Sequence, residues 1–339
     1  MMPSLPKAML WPFSLIYGAV IFLWDLYYSH TKQVKLPCKV ISVGNITVGG
    51  TGKTPLAIKI ANLSVKAGYK TAIVARGYKR KAKGLIEISA SSNWSDAGDE
   101  PLEMIRSTDN VRIYVCKSKT EAAIKAASDG AELIIIDDGF QHRRIYRDID
   151  IVCLDWSNPL GPGGYIPYGL LREPPEALRR ADIIIYTSYN DIQSMEKQTI
   201  SNEGGIKLFW SASKITGFQN IADGKKAGID EIAAKRAIAF CGLGSPAKFG
   251  ESLNRIGLKP INFIRFRDHH CYVQEEIDIL IQAARKQKAE IFVVTFKDAV
   301  KIEGLNFGDY DVYFAKLEID IIDQSGNGQV DEFREKLKL

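Results

Sequence analysis

The stretch VISVGNITVGGTGKTPLAIKIANLSVKAG, Val40 to Gly68, decides the fold of this chain. An apolar run ends in a glycine-rich turn, and the turn leads directly into an amphipathic segment. Pro55 stands in the first turn of that segment and Gly68 just past its end. Proline at the start of a helix and glycine after its end are typical boundary signals. The stretch therefore predicts a strand, a loop and a helix in direct succession.

The loop between strand and helix has the composition of a phosphate-binding turn. Its glycines permit backbone angles at which consecutive N–H groups surround phosphate oxygens, and the helix directs its positive end at the same anion. In such loops the lysine, here Lys53, contacts the β- and γ-phosphates, and the next hydroxyl, Thr54, is a Mg²⁺ ligand. The Walker A pattern has glycine where this chain has Thr47, so the match is incomplete, but the flanking strand and helix support it. The predicted nucleotide-binding residues are Thr47, Val48, Gly49, Gly50, Thr51, Gly52, Lys53 and Thr54.

A second motif, ELIIIDDGFQHRR, carries two acids at the end of an apolar run. A strand that delivers an acid beside a phosphate-binding loop is the Walker B arrangement. Two adjacent acids can divide the work, one on Mg²⁺ and the other on a water or a neighbouring base. Asp137 is predicted as the metal ligand and Asp138 as the catalytic acid, although the sequence leaves their order open.

The rest of the chain alternates short β-branched runs with helical patterns, which predicts an α/β fold with a parallel sheet covered on both faces. Around residues 200–236 the composition turns polar, and we place a domain boundary near residue 210. Residues 31–210 are then predicted to form the nucleotide-binding domain. Residues 211–339 are predicted to form a smaller α/β domain that closes the active-site cleft.

Residues 1–30 are predicted to form a membrane-associated helix. The run from Ala8 to Trp24 carries no charge, but at ~1.5 Å per residue it reaches about 25 Å, short of the roughly 30 Å hydrocarbon core. Trp11 and Trp24 bracket the run like interfacial anchors, and the lysines that follow predict that the body stays cytoplasmic. A buried packing helix is an alternative. A signal peptide is another, disfavoured because no small-residue cleavage site precedes the basic residues.

Composition excludes little by itself. The net charge of +5 and pI near 8.7 are mildly basic, which suits an anionic membrane surface and is too weak to predict a nucleic-acid partner. Five scattered cysteines without a CxxC pair indicate reduced thiols.

A phosphate-binding loop does not reveal the acceptor: water makes an ATPase and a hydroxyl makes a kinase. No Asn-Lys-x-Asp guanine-reading motif occurs in the sequence, so adenine is favoured. The main rival is a P-loop ATPase that acts as a nucleotide switch or metal-delivery factor. The run GLGSPA imitates a dinucleotide fingerprint, and DHHC imitates a palmitoyltransferase tetrad. The first is a weak lone match, and the second lacks the cysteine-rich zinc module such enzymes need.

Seven motifs occur together in a fixed order: VGNITVGGTGKTP, ARGY, GDEP, DDGFQHR, LLREP, FRDHH and VTFKDAVK. This set resembles the tetraacyldisaccharide 4′-kinase family over nearly the whole chain. The resemblance implies a P-loop NTPase-like α/β/α domain joined to a smaller α/β/α domain. It implies ATP and Mg²⁺ as cofactors and transfer of the γ-phosphate to the 4′-hydroxyl of a tetraacylated glucosamine disaccharide 1-phosphate, giving lipid IVA. It places the enzyme on the cytoplasmic face of the bacterial inner membrane. No stable protein partner is predicted.

The resemblance also assigns roles at the acceptor side. Asp99 in GDEP is the implied general base, and His269 is the implied histidine that tunes it, with His270 as second choice. Glu100 is implied to help set the cation or substrate. The predicted substrate-binding residues are Arg76, Lys119, Gln141, His142, Arg172 and Glu173. The family commonly has arginine at the position of Lys119; lysine keeps the charge but loses the forked geometry. Arg172 is predicted to pair with the 1-phosphate.

Overall fold

The computed structural model describes residues 7–187, 205–323 and 327–339. Most of the polar stretch that preceded the predicted boundary, residues 194–204, lies outside these ranges, as do residues 1–6.

The described residues contain strands and helices in alternation, which confirms the α/β prediction. The strands are β1 (Lys39–Gly44), β2 (Thr71–Ala75), β3 (Ile86–Ile88), β4 (Arg112–Val115), β5 (Leu133–Asp137), β6 (Ile149–Asp155), β7 (Ile183–Thr187), β8 (Lys207–Asn220), β9 (Lys226–Ala227), β10 (Ala237–Cys241), β11 (Asn262–Arg265), β12 (Ile291–Val294) and β13 (Asp311–Ile322). The α-helices are α1 (Trp11–His30), α2 (Lys53–Lys66), α3 (Trp94–Ala97), α4 (Asp99–Arg106), α5 (Lys119–Ser128), α6 (Ile229–Ala233), α7 (Pro246–Arg255), α8 (Gln274–Gln287), α9 (Phe296–Ile302) and α10 (Val330–Lys336). Two short 3₁₀ helices span Lys7–Leu10 and Pro175–Arg180.

The first half of the fold is a parallel sheet in the order β7-β6-β1-β5-β2-β4, with β3 antiparallel at its edge. Its central strands are buried along their length, as continuous apolar strands with helices on both faces must be. Ile41, Ile73 and Ile135 are fully buried in one cluster with the apolar face of α2. Strand β1 lies between β5 and β6, so the loop after β1 and the acids that end β5 emerge side by side.

The second half repeats the same principle on a smaller scale. Strands β11, β10, β12 and β13 are parallel neighbours in that order. Phe240 and Phe292 are fully buried on the side covered by α8 and α9. The apolar residues of α7, including Leu253, fill the opposite side.

A long antiparallel ribbon of β8 and β13 connects the two halves. Strand β8 starts as a parallel neighbour of β7, and β13 starts as a parallel neighbour of β12. The two strands pair from Trp210 opposite Ile322 to Asn220 opposite Tyr313, with a bulge between Lys316 and Leu317. The sheet is thus continuous, and residue 210 falls within β8. The domain boundary remains a prediction. Strand β8 was not predicted from the sequence, because its buried residues neither run continuously nor alternate regularly.

Helix α1 begins with Pro12 in its first turn and keeps most of its apolar side chains exposed. Ser14 is its buried residue; its hydroxyl donates to the carbonyl of Tyr165. Asp25 forms an ion pair with Arg143. The exposed large apolar residues on this helix are Trp11, Phe13, Leu15, Ile16, Val20, Phe22, Leu23, Trp24, Leu26 and Tyr27. The alternative of a buried packing helix is therefore wrong.

Among the residues the structure describes, no helix has the length and apolarity needed to cross a bilayer.

Candidate active site

The predicted phosphate loop joins β1 to α2 and faces open space. Gly49 and Gly52 have φ angles of +125° and +73°, which side-chain-bearing residues rarely adopt. A Cβ at Gly49 or Gly50 would meet nothing within 4 Å. The first part of the loop is held by a main-chain hydrogen bond, in which the Val48 N–H donates to the Leu170 carbonyl over 2.8 Å. The loop is held in place while its glycine face stays open, as binding of an anion requires.

The two acids that follow β5 have different surroundings. The Asp138 carboxylate accepts hydrogen bonds from both terminal nitrogens of Arg172, over 2.7 and 3.1 Å, and lies 3.6 Å from Lys53 Nζ. Burial opposes ionisation of Asp138, but Lys53 and Arg172 outweigh it and bring its pKa below the ordinary value. Its φ of +49° turns its carbonyl toward Lys119, which donates to it. Asp138 is therefore an ionised, fully paired carboxylate.

Asp137 lacks such partners. Within the described residues, its Oδ1 is buried without a hydrogen-bond partner, and so is the hydroxyl of nearby Thr51 in the phosphate loop. Burial, together with the charges of Glu100 and Asp138, raises the pKa of Asp137 to about 7. A buried acid with an orphaned oxygen beside other carboxylates is suited to receive a cation.

The residues predicted to bind substrate form a network behind Asp138. Gln141 donates to Glu173 and to the Asn45 carbonyl, both over 2.8 Å. Glu173 also accepts from Arg180 over 2.6 Å. Lys119 is buried, and burial lowers its pKa.

His142 is part of the same region and bonds through Nε2 to the Thr120 hydroxyl over 2.9 Å. Burial lowers the pKa of His142 to about 4, with Lys119 and Arg147 adding to the effect, so its ring is neutral near pH 7. Arg76 stands apart from this network, on the wall of the cavity described below.

Asp99 and His269 meet across 170 residues of sequence. Asp99, at the start of α4, accepts from His269 Nδ1 over 2.8 Å and lies 3.0 Å from Lys301 Nζ. Burial opposes ionisation of Asp99, but His269 and Lys301 bring its pKa below the ordinary value. The hydrogen bond to Asp99 raises the pKa of His269. The ring of Tyr78 packs 5.3 Å from that of His269. Such a carboxylate–imidazole pair can accept a proton from a hydroxyl.

The neighbours of this pair have partners of their own. Glu100 pairs with Lys297 Nζ at 2.7 Å. His270, the second choice in the sequence analysis, pairs instead with Glu276 at 2.9 Å and stacks on Phe266. In this arrangement His269, not His270, contacts Asp99.

One cavity of about 1150 Å³ brings these groups together between the two halves of the fold. Of the predicted residues, those on its wall are Val48, Gly49, Gly50, Thr51, Gly52, Lys53, Thr54, Arg76, Glu100, Asp137, Asp138 and His269. Within the described residues, the remaining ones lie outside this lining: Thr47, Asp99, Lys119, Gln141, His142, Arg172 and Glu173. Asp99 therefore reaches the cavity through His269, and the network of Arg172 and Gln141 reaches it through Asp138.

Sequence reasoning missed two residues of this site, Lys297 and Lys301. Both belong to α9 and pair with consecutive acids at the start of α4. A signal was available, because the motif FKDAVK follows a strand and places its two lysines one helical turn apart, on one face. Their partners in a distant part of the chain could not be read from that pattern.

Comparisons with known proteins identify the family of the chain. The family model described as tetraacyldisaccharide-1-P 4′-kinase matches residues 6–334. A tetraacyldisaccharide 4′-kinase of Syntrophus aciditrophicus is 37% identical, covering 86% of this chain and 83% of the relative. A tetraacyldisaccharide 4′-kinase of Geobacter metallireducens is 34% identical, covering 91% of this chain and 89% of the relative. A crystal structure of LpxK from Aquifex aeolicus in complex with ATP has a TM-score of 0.76 at 29% identity and covers 96% of both chains. The chain belongs to the tetraacyldisaccharide-1-P 4′-kinase family.

Proposed function

We propose that this chain transfers the γ-phosphoryl group of ATP to the 4′-hydroxyl of a tetraacylated glucosamine disaccharide 1-phosphate, giving lipid IVA. One observation carries the proposal: the glycine loop with Lys53 and the Asp99-bound His269 face the same cavity. A phosphate-binding loop alone suits any ATPase, whereas a proton acceptor across the cavity suits transfer to a hydroxyl. Membership of the kinase family supports the same choice.

ATP is the proposed phosphoryl donor, bound on the loop from Thr47 to Thr54. The N–H groups of this loop and the start of α2 provide the positive field that a triphosphate requires. Lys53 lies at the first residue of α2, with Asp138 as its partner at 3.6 Å. That separation is longer than a direct hydrogen bond, so the ammonium group is available to a phosphate oxygen.

Mg²⁺ is the proposed metal, and the donor set fits it. Asp137 has an orphaned buried oxygen, and Glu100 and Asp138 contribute to its raised pKa, so a divalent cation would relieve the crowding of negative charge. Asp137 and Thr54 would hold the ion, which when bound neutralises charge on the phosphates. Glu100, the third predicted ligand, pairs with Lys297 in this structure and would have to leave it to bind the ion. The Asp138 carboxylate accepts two hydrogen bonds from Arg172, and Lys119 bonds its main-chain carbonyl, so Asp138 is the weaker candidate for this ligand role. Its charge attracts Lys53 from 3.6 Å.

The proposed base is the Asp99–His269 pair, and His269 is its exposed member. One Asp99 oxygen faces His269 and Lys301, and the other accepts the Glu100 N–H over 3.0 Å. With Nδ1 directed at Asp99, Nε2 is the ring nitrogen that remains to accept the proton of the sugar hydroxyl. The resemblance implies Asp99 as the base and His269 as the residue that tunes it; because Asp99 lies outside the cavity lining, we propose instead that Asp99 acts through His269, whose imidazole its negative charge makes basic.

The acceptor phosphate has two kinds of candidate contact. Arg76 lines the cavity directly. Arg172 and Lys119 are engaged with Asp138 in this structure. We propose Arg76 as a direct substrate contact, whereas a contact between Arg172 and the 1-phosphate requires release of Asp138.

The test is incubation with γ-labelled ATP and the disaccharide 1-phosphate, followed by location of the label on the product. Label on the 4′-oxygen of the sugar is the expected result. A nucleotide switch or metal-delivery ATPase would release labelled inorganic phosphate at an equal rate without the lipid, and that outcome would contradict the proposal.

We also propose that α1 attaches the enzyme to the cytoplasmic face of the inner membrane. Its exposed aromatic and aliphatic side chains form an unusually large apolar surface, with Trp11 and Trp24 54% and 58% exposed. Deletion of residues 1–30 is expected to shift the protein from the membrane pellet to the supernatant, measured by sedimentation of lysates with and without detergent. Unchanged sedimentation of the truncated chain would place the attachment elsewhere.

A further inference from the structure

Helix α9 contacts Asp99 through one side chain and, through another, the main chain and side chain of residues that flank His269. On one side, Lys301 Nζ lies 3.0 Å from Asp99 Oδ2, and the Lys301 side chain is only 2% exposed. A buried ammonium group is costly unless a carboxylate compensates it, and Asp99 supplies that charge, although Lys301 Nζ makes no hydrogen bond of good geometry among the described residues. Lys301, which lies outside the cavity lining, therefore fixes the position of Asp99 by its charge.

On the other side, Asp298 holds the segment that carries His269. Asp298 is fully buried, and its Oδ1 accepts from the Gly242 N–H and from the Tyr272 hydroxyl, both over 2.9 Å. Its Oδ2 accepts from the Thr295 hydroxyl over 2.5 Å. One carboxylate thus joins α9 to the loop after β10 and to the segment after His269.

These bonds bracket His269 itself. The Gly242 carbonyl accepts the N–H of His269 over 3.1 Å, and Tyr272 lies three residues further along the chain. His269 has a φ of +54°, a conformation that non-glycine residues adopt only when the surroundings impose it. Side-chain room is also restricted at Gly242, where a Cβ would lie 2.9 Å from the Arg267 carbonyl oxygen. The strained presentation of His269 therefore depends on the contacts of Asp298.

We propose that Lys301 and Asp298 are positioning residues for phosphoryl transfer: Lys301 fixes Asp99, and Asp298 fixes the main chain that presents His269. The two residues are three apart on a helix and share one face. A single rigid helix thereby sets the distance between the carboxylate and the imidazole. This inference rests on the proposed function, because it assigns the two residues to the Asp99–His269 pair as the general base.

The first experiment compares turnover and ATP KM of the full-length enzyme and its variants. Lys301→Met is expected to lower kcat by ~10²-fold, the scale of a misplaced catalytic group, while ATP KM changes less than about twofold. Lys301→Arg, which keeps the charge, is expected to recover part of the loss. Tyr272→Phe, which removes one bond to Asp298, is expected to lower kcat by ~3- to 10-fold, and Asp298→Asn by more.

Matched controls separate a positioning effect from a general loss of structure. Lys286→Met on the exposed face of α8 removes a lysine, and Tyr310→Phe removes a hydroxyl from a ring that packs on Phe292. Both are expected to keep wild-type kcat. Unchanged kcat in Lys301→Met and Tyr272→Phe would overturn the inference, as would an equal loss in the controls.

A double-mutant cycle gives the sharper answer. In a His269→Ala background the base pair no longer exists, so adding Lys301→Met is expected to lower kcat less than about threefold further. A full additional ~10²-fold loss would show that Lys301 acts elsewhere and would overturn the inference. Failure of the proposed function is distinguishable, because it appears in the wild-type enzyme as absence of label on the sugar.

Discussion

Two sides of the active site differ in how completely their charged groups are paired. We call the loop Thr47–Thr54 with Asp137 and Asp138 the nucleotide wall, and Asp99, Glu100 and His269 the base wall. On the nucleotide wall, the Asp137 carboxylate and the Thr51 hydroxyl have buried oxygens without partners among the described residues, and Lys53 is loosely paired. On the base wall, Asp99 forms an ion pair with Lys301, and Glu100 forms one with Lys297. Unpaired polar groups are suited to bind ligands that arrive and leave, and paired side chains are suited to hold catalytic groups in one position. The difference is consistent with the proposal that the first wall receives the cofactors and the second performs the proton transfer.

The largest expected effects are losses of transfer in two variants, and the affinity of each variant for ATP distinguishes the two walls. Lys53→Ala and Asp99→Ala are each expected to abolish transfer. Only Lys53→Ala is expected to weaken ATP binding, because Lys53 belongs to the nucleotide wall and Asp99 does not. Calorimetric titration with ATP measures the distinction. Loss of nucleotide affinity in Asp99→Ala would make Asp99 a nucleotide or metal ligand and remove the contrast between the walls.

The next effect tests which histidine belongs to the base wall. His269→Ala is expected to lower kcat by ~10²–10⁴-fold, the usual contribution of general acid–base catalysis. His270→Ala serves as the matched control and is expected to change kcat little, because His270 pairs with Glu276 rather than Asp99. Steady-state kinetics at saturating ATP provides the measurement. A reversed order of the two losses would assign the role to His270.

The smallest effect concerns Asp137 and is a change in stability. Because the pKa of Asp137 is raised to about 7 in the folded protein, against 3.8 ordinarily, the folded state binds more protons than the unfolded state between these values. Stability contributed by this group therefore falls as the pH rises from about 4 to about 7. The Asp137→Asn variant has no titrating carboxyl group at this position, so its stability does not decrease in this way. Its Tm in Mg²⁺-free buffer is therefore expected to exceed that of the wild type by a few degrees at pH 8 and to match it near pH 4.

Mg²⁺ provides the control for the Asp137 experiment. A cation that binds the folded wild type raises its Tm and should remove or reverse the advantage of the variant. Thermal unfolding at both pH values, with and without Mg²⁺, tests this. A Tm difference that is independent of pH and of Mg²⁺ would show that Asp137 is not the open position on the nucleotide wall.

The two walls also differ in how far the sequence predicted them. The nucleotide wall comes from contiguous residues, Thr47–Thr54, and from a strand that ends in two acids, so local pattern was sufficient to predict its parts. The base wall brings together residues 99, 269 and 301, and no local pattern encodes that meeting. Asp99 and His269 were predicted only through the resemblance to a family, and Lys301 was not predicted.

The same limit applies to the fold. Parallel strands such as β1 and β5 were predictable, because burial on both faces leaves them continuously apolar. The β8–β13 ribbon was not, since its buried residues neither run continuously nor alternate regularly. The order of Asp137 and Asp138 could not be predicted either, because it depends on where Arg172 lies in space.

The β8–β13 ribbon has a consequence for how the reactive groups are aligned. In the described residues the chain passes from the first half to the second along β8 and returns along β13, so the nucleotide wall and His269 belong to opposite ends of this two-stranded connection. Two strands resist twisting far less than a wide sheet does, and the bulge at Lys316 and Leu317 interrupts their register midway. A change of a few degrees at that point would displace the imidazole relative to the terminal phosphate in proportion to its distance from the bulge. The alignment of the reacting groups is thus set partly by the ribbon and partly by the ion pairs between α4 and α9 that also join the two halves.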